Sequence, residues 1–146
     1  MSESQWDRVI AVNLKGTFNF NQAVSSLFME QRYGKIVNIA SINGLRGKFG
    51  QANYAASKGG LIALSKTLAR ELGKFNVTVN VVAPGMVLTE MMQAVPAEFQ
   101  KKALDETVNG RFATPEEVAD LVAFLCSDRS RQITGEVIKI DGGQYI

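Results

Sequence analysis

Alternation between helical and strand-like periodicity is the feature that most restricts how this chain can fold. Residues 4–29 place apolar side chains broadly at helical spacing, and residues 53–72 follow as a second helical stretch. Residues 35–41 and 77–82 are short apolar runs rich in β-branched residues, as strands covered on both faces are. This order predicts an α/β fold in which parallel strands are joined by right-handed helical crossovers.

The rest of the chain extends the same pattern. Thr114 is followed by Pro115 at the first helical position and Glu117 at the third, a combination that predicts the start of a helix. Residues 135–140 predict a third strand. Residues 88–112 mix Met, Pro, Gln and Lys with weak helical character, which is typical of a mobile flap. We therefore expect three strands with flanking helices, which is half of a doubly wound sheet.

Composition excludes several kinds of site and partner. The chain has no histidine and only one cysteine, which excludes the usual zinc ligand sets and every catalytic triad built on imidazole. The net charge is +2 without a Lys- or Arg-rich segment, so no nucleic acid partner is expected. No apolar run approaches membrane-spanning length, so we expect no membrane partner either. Cys126 lies in an apolar run, where we expect a small core residue of a cytoplasmic protein.

Three residues near predicted strand ends carry a candidate chemistry. Open α/β sheets bind ligands at the carboxyl ends of their strands, and Ser41 ends the first predicted strand. Tyr54 follows thirteen residues later, and Lys58 lies one helical turn beyond it on the same face. A Tyr-x-x-x-Lys pair is weak evidence by itself. A strand-end hydroxyl, a rim tyrosine and a solvated lysine are the plain alternatives.

The surrounding residues give this trio the pattern of a known family. Asn13 in the motif Asn-Leu-Lys-Gly, the Ser41, Tyr54 and Lys58 trio, and the segment 84–89 together resemble the short-chain dehydrogenase/reductase family over nearly the whole chain. Residues 51–58 and 133–143 look most like its 3-oxoacyl-[acyl-carrier-protein] reductase branch. The resemblance implies a Rossmann-like sheet, of which residues 1–146 would be the C-terminal, catalytic half and residues 88–112 the substrate flap.

The resemblance also implies a catalytic role for four residues. Tyr54 would be the general acid/base that passes a proton to or from the substrate oxygen. A phenol with its usual pKa of about 10 is a poor base at neutral pH, and the Lys58 ammonium would favour the phenolate and bind the nicotinamide ribose. Ser41 would donate to the substrate oxygen. Asn13 would hold a water that links Lys58 to solvent.

Cofactor and substrate residues follow from the same resemblance. NADP or NAD would contact Tyr54, Lys58 and the segment after the second strand, where Pro84 and Gly85 let the backbone approach the nicotinamide. The Val87 main chain would meet the carboxamide, and the Thr89 hydroxyl the carboxamide or pyrophosphate. The substrate would contact these five residues: Ser41, Asn43, Gln51, Gly85 and Met86.

Two of the family's motifs are missing from residues 1–146. Neither the phosphate loop Thr-Gly-x-x-x-Gly-x-Gly nor the motif Asn-Asn-Ala-Gly occurs. The first predicted strand also has no preceding strand to cover its edge. We therefore expect a truncated chain that contacts only the nicotinamide end of the cofactor and is inactive alone, unless an N-terminal complementary half completes it.

Several functional alternatives stay open at this point. The expected activity of the parent protein is NAD(P)-dependent reduction of a 3-oxoacyl thioester, with a sugar, polyol or cyclic alcohol as the rival substrate. The alternative to an enzyme is a non-catalytic fragment or half-fold that forms an oligomeric scaffold. A homo-oligomer, dimer or tetramer, is expected in either case.

Overall fold

A single long helix in three parts opens the chain in the computed structural model, which describes all residues 1–146. Its parts are α1 (Glu3–Ile10), a π-helical segment (Ala11–Lys15) and α2 (Gly16–Gln31). A capping box starts it, because the Ser2 hydroxyl accepts from the Gln5 amide while the Gln5 side chain accepts from the Ser2 amide. The predicted helix is confirmed, whereas its π-helical interruption was not foreseen.

Three parallel strands form one sheet in the order β1-β2-β3. They are β1 (Gly34–Ile39), β2 (Val77–Pro84) and β3 (Val137–Ile140). β2 lies in the middle and is buried along almost its whole length. The predicted α/β class and the three predicted strands are therefore confirmed. Most of the strand boundaries differ from the predicted ones by one or two residues.

The remaining helices are α3 (Asn43–Arg46), α4 (Ala52–Leu72), α5 (Glu90–Gln93), α6 (Ala97–Asp105) and α7 (Pro115–Cys126). α4 and α7 match the helices predicted from periodicity and capping residues. α3 lies between the first predicted strand and the second predicted helix, where the sequence pattern indicated no helix. α5 and α6 are short helices within the predicted flap, whose weak helical character they explain.

The core lies between the sheet and its flanking helices. β1, β2 and α4 share two apolar clusters, one around Val79 and Leu72 and the other around Val81 and Leu61. On α7 the fully buried residue is Leu125, and the next residue, Cys126, is exposed. Because successive helical residues point about 100° apart, only one of the two can face the core. The expectation that Cys126 is a core residue was wrong.

One of the two edges of the sheet belongs to β1, which pairs only with β2. Ile39 at its end is 42% exposed, and on the opening helix Val12 and Phe20 are exposed as well. These apolar groups are uncovered in the isolated chain, as the sequence predicted for the first strand. No helix of the chain combines the length and apolar character needed to cross a membrane.

The start of α7 gives a pH-dependent stability prediction. Hydrogen bonds from Arg111 and the Thr114 amide lower the pKa of Glu117 to about 2. A carboxyl whose pKa is depressed on folding contributes stability above its unfolded pKa and loses it as the pH falls toward the folded one. We expect Glu117→Gln to lower the free energy of unfolding at pH 7, and the difference from the parent chain to shrink as the pH falls from about 4.5 toward 2.

Urea unfolding at a series of pH values measures this difference. Asp120→Asn, on the same helix, is the matched control and should show no such convergence. A Glu117→Gln deficit that stays constant between neutral and acidic pH would contradict the assignment of this carboxylate as the stabilising group.

Candidate active site

A cavity of about 450 Å³ opens at the carboxyl ends of β1 and β2. Parallel strands direct their following loops to one edge of the sheet, so the residues after both strands meet there. Eight of the residues predicted to bind or react line this cavity: Ser41, Asn43, Gln51, Tyr54, Gly85, Met86, Val87 and Thr89. Asn13, Lys58 and Pro84 are near these segments but do not line it.

Ser41 follows β1, and main-chain hydrogen bonds to β2 continue beyond the end of β1 on either side of it. The amides on either side of it, at Ala40 and Ile42, donate to the carbonyls of Val82 and Pro84. Ser41 is buried, and its Oγ accepts a hydrogen bond of 3.1 Å from the Asn43 amide. Because Oγ acts here only as an acceptor, its own proton remains free to donate into the cavity.

Tyr54 and Lys58 lie one turn apart near the start of α4. The side chain of Asn53 accepts from the Tyr54 amide at 2.8 Å and so satisfies a free donor of the first turn. The Tyr54 hydroxyl has no hydrogen-bond partner within the chain. Lys58 Nζ lies 5.8 Å from the centroid of the Tyr54 ring. The phenol is therefore available to a ligand beside a fixed positive charge.

Lys58 is held by the protein but is not neutralised by it. Its Nζ donates to the Ile39 carbonyl at 2.9 Å and forms no salt bridge. Burial of the side chain lowers the pKa of this ammonium from its ordinary value, because desolvation disfavours the charged form. An ammonium carries three donors, so two of them remain for a ligand.

Asn13 lies in the π-helical segment, a distortion that occurs often at functional sites. Its side-chain amide donates to Ser57 Oγ at 3.2 Å, and Ser57 Oγ donates to the Tyr54 carbonyl at 2.7 Å. The structure therefore joins Asn13 to the turn that carries Tyr54, through Ser57. This use of Ser57 was not predicted, because no motif or spacing distinguishes it from a structural serine on a helix.

The segment after β2 forms the opposite wall of the cavity. The Gly85 amide donates to the Ile140 carbonyl, and a Cβ on Gly85 would lie 2.7 Å from Gln144 Oε1. The same Cβ would lie 3.0 Å from the Cα of Asp141, a main-chain atom, so the C-terminal segment itself favours glycine here. Val87 forms a bridge with Ala113. Thr89 caps α5, because its Oγ1 accepts from the Met92 amide at 3.3 Å.

Residues that were not predicted also line the cavity. Arg46 and Lys48 come from the segment between β1 and α4, and Gln144 follows the Asp-Gly-Gly motif near the C-terminus. Apolar lining comes from Ile42 and from the flap residues Met91, Met92 and Val95. The position of Met91, Met92 and Val95 in the predicted flap was a signal for a role at the site. No spacing rule selected any of these unpredicted residues individually.

Comparison with known proteins identifies the family. The family model described as enoyl-(acyl carrier protein) reductase matches residues 1–144. The chain belongs to the short-chain dehydrogenase/reductase family. This confirms the resemblance drawn from the sequence motifs.

Curated relatives and a solved structure support this family. The 3-oxoacyl-[acyl-carrier-protein] reductase of Thermotoga maritima is 50% identical over all of this chain, and that of Aquifex aeolicus is 46% identical over 99% of it. The crystal structure of a 3-oxoacyl-[acyl-carrier protein] reductase from Brucella melitensis matches with a TM-score of 0.94 and 37% identity over the whole chain. The chain spans 59%, 58% and 55% of these proteins, respectively.

Proposed function

We propose that residues 1–146 carry the catalytic half of an NAD(P)-dependent reductase that acts on 3-oxoacyl thioesters. The observation that carries the proposal is one cavity that joins the free Ser41 proton, the unpartnered Tyr54 hydroxyl and the Gly85–Val87 wall, with Lys58 beside the tyrosine. The relatives named above are reductases of 3-oxoacyl groups on a carrier protein, which supports this substrate class.

Proton transfer follows from the positions of the side chains. Tyr54 donates its hydroxyl proton to the substrate oxygen as negative charge develops there. Ser41 donates a second hydrogen bond to the same oxygen. The unneutralised Lys58 ammonium stabilises the phenolate that remains. Asn13 positions the first turn of α4 through Ser57, and a water beside it would return the proton from solvent.

The residues present fit the nicotinamide end of a cofactor, which supplies a hydride when bound. Lys58 has two unused donors that suit vicinal ribose hydroxyls. The Val87 main chain and the Thr89 hydroxyl proton are the groups proposed for the carboxamide side, with Pro84 and Gly85 beneath the ring. No phosphate loop occurs in residues 1–146. We therefore propose that this polypeptide alone binds NADP or NAD weakly and does not turn over.

The lining of the cavity favours an acyl chain over a sugar, polyol or cyclic alcohol. Ile42, Met86, Met91, Met92 and Val95 present an apolar wall. Methionine side chains adapt to chains of different length, whereas sugar hydroxyls placed against them would lose hydrogen bonds to water. Asn43, Gln51 and Gly85 are proposed to contact the thioester end of the substrate. Residues 88–112 are proposed to form the flap over the cavity.

A fused enzyme tests this proposal. In it, the part of the Thermotoga maritima relative that this chain does not cover is joined ahead of residue 1. We expect NADPH-dependent reduction of an acetoacetyl thioester by the fused enzyme and none by residues 1–146 alone. Ser41→Ala should lower kcat by about 10²–10³-fold, the usual cost of losing one donor to a developing oxyanion.

Ser25→Ala, a hydroxyl on α2 outside the cavity, is the matched control and should leave kcat unchanged. Preferential oxidation of a sugar or polyol by the fused enzyme would contradict the substrate class. Saturable NADPH turnover by residues 1–146 alone would contradict the proposed need for a complementary N-terminal segment.

The exposed apolar groups favour a second candidate, an oligomeric scaffold without catalysis. Val12, Phe20 and Ile39 lie open on the first helix and the sheet edge, and such surfaces are covered in stable proteins by another segment or another copy. Analytical ultracentrifugation of residues 1–146 shows whether another copy of the chain covers these groups. A dimer or tetramer would support self-association, and a protease-resistant monomer would contradict it.

A further inference from the structure

Three polar side chains from separate segments converge beside the cavity. Arg46 lies at the end of α3, Glu106 directly follows α6 in the flap, and Gln144 is near the C-terminus. Arg46 Nη1 lies 3.0 Å from Glu106 Oε2, and Gln144 Nε2 donates to the same oxygen at 3.0 Å. Arg46 Nη1 also lies 3.3 Å from the Gln144 carbonyl. One carboxylate oxygen therefore joins all three segments.

The same groups reach both walls of the cavity. Arg46 Nε donates to Asn43 Oδ1 at 3.3 Å, and the main-chain amide of Asn43 donates to Ser41 Oγ. On the other side, Gln144 Oε1 accepts from the Met86 amide at 3.3 Å. The network thus runs from the proposed catalytic serine, through the flap residue Glu106, to the backbone beside Gly85.

Burial makes this network costly to break. The side chain of Arg46 is only 18% exposed and Gln144 is 8% exposed, whereas the Glu106 side chain is 46% exposed, so the cost comes mainly from Arg46 and Gln144. Partial burial alone would raise the pKa of Glu106, but hydrogen bonds from Gln144 and Arg46 outweigh it and hold the pKa below its ordinary value. Removing the carboxylate would leave a largely buried guanidinium without its counter-charge. The neighbouring Lys101–Asp105 pair, by contrast, is exposed and contributes little.

The flap itself is only lightly packed. Met91 and Phe99 are exposed, and Ala103 is the one buried residue of α5 and α6, so little apolar burial holds these helices in place. Backbone hydrogen bonds from Leu88 to Ala113, and from Val108 and Asn109 to Gly142, hold only the two ends of the flap. Among the side-chain hydrogen bonds, those of the Arg46–Glu106–Gln144 group connect the flap directly to the segment between β1 and α4.

We infer that Arg46, Glu106 and Gln144 form a latch that holds the flap against the loop carrying Ser41 and fixes the width of the cavity. They are positioning residues, because they touch one another and the cavity walls. The conformational part of this inference stands on geometry alone. Its consequence for substrate binding rests on the proposed reductase function.

Hydrogen–deuterium exchange of residues 1–146, read by mass spectrometry, tests the latch. We expect Glu106→Gln and Arg46→Met each to raise amide exchange at least tenfold over residues 97–106 and 43–51, with the amides of β2 unchanged. The double variant should raise exchange by less than the product of the two single effects, because both substitutions remove the shared Arg46–Glu106 contact. Asp105→Asn, which removes an adjacent exposed carboxylate, is the matched control.

Exchange in Glu106→Gln equal to that in Asp105→Asn would overturn the latch, and so would equally faster exchange across β2, which indicates global destabilisation. The charge swap of Arg46→Glu with Glu106→Arg should recover part of the protection, and no recovery would contradict a specific pair. In the fused enzyme, Glu106→Gln should raise KM for the acyl thioester about fivefold with kcat within twofold. An unchanged KM overturns the positioning role, whereas an inactive parent fusion overturns the proposed function and leaves the exchange result to decide the latch.

Discussion

Tyr54→Phe in the fused enzyme is expected to lower kcat for reduction of an acetoacetyl thioester by about 10²–10⁴-fold, the range that a positioned general acid contributes. The substitution removes one oxygen and leaves the ring that lines the cavity. The Tyr54 hydroxyl has no partner in the chain, so its loss breaks no hydrogen bond of the fold. KM for NADPH should change little, because Lys58 keeps its contact with the Ile39 carbonyl.

Tyr33→Phe is the matched control for this substitution. Tyr33 is exposed, and its hydroxyl donates to Asp128 at 3.2 Å, outside the cavity. We expect this variant to keep the kcat of the parent fusion. Steady-state NADPH oxidation measures both variants. A Tyr54→Phe enzyme within tenfold of the parent would show that another group supplies the proton.

Gly44→Ala is expected to have the largest effect on the fold around the site. A Cβ at this position would lie 2.8 Å from the backbone carbon of Lys58 and 2.9 Å from the Gly59 amide. Both are main-chain atoms of α4, so neither can move aside as a flexible side chain would. Overpacking of this kind costs about 1–3 kcal/mol of unfolding free energy. It also separates α3, which follows Ser41, from the helix that carries Tyr54 and Lys58.

Gly73→Ala provides the comparison for Gly44→Ala. Gly73 has helical backbone angles, and a Cβ there would meet no atom within 4 Å. Alanine should leave stability unchanged or raise it by up to about 1 kcal/mol. Chemical denaturation of both variants, with kcat measured in the fused enzyme, checks the pair. A Gly44→Ala protein as stable and active as Gly73→Ala would refute the close packing of α3 on α4.

The regular elements could be predicted from sequence because their buried faces leave a hydrophobic pattern in it. The buried run at residues 77–82 and the Thr114 capping box identified β2 and α7 without any tertiary knowledge. The helices of the flap were visible only as weak helical character, because α5 has four residues and none of them is buried. The π-helical segment has no sequence period of its own. It contacts α4, and no local sequence pattern reveals such a tertiary contact.

The residues of the candidate site likewise include some that could be predicted from sequence and others that could not. Ser41 and Gly85 were placed at one edge because parallel strands end together, a rule that needs no coordinates. The partner of Asn13 is Ser57, and the acceptor of Lys58 is the Ile39 carbonyl; both contacts depend on tertiary packing. Arg46 and Glu106 are far apart in the chain and have no motif. Only the folded arrangement of the loop, flap and C-terminus brings them together.

A crystal structure of the fused enzyme with NADP and a 3-hydroxyacyl thioester tests the central claim most directly. We predict that the product hydroxyl lies within hydrogen-bonding distance of both Tyr54 Oη and Ser41 Oγ. The nicotinamide ring should lie against the Gly85–Val87 wall, with Lys58 Nζ on its ribose and the acyl chain along Met86, Met91 and Met92. A product bound elsewhere, or a hydroxyl out of reach of Tyr54, would contradict the account.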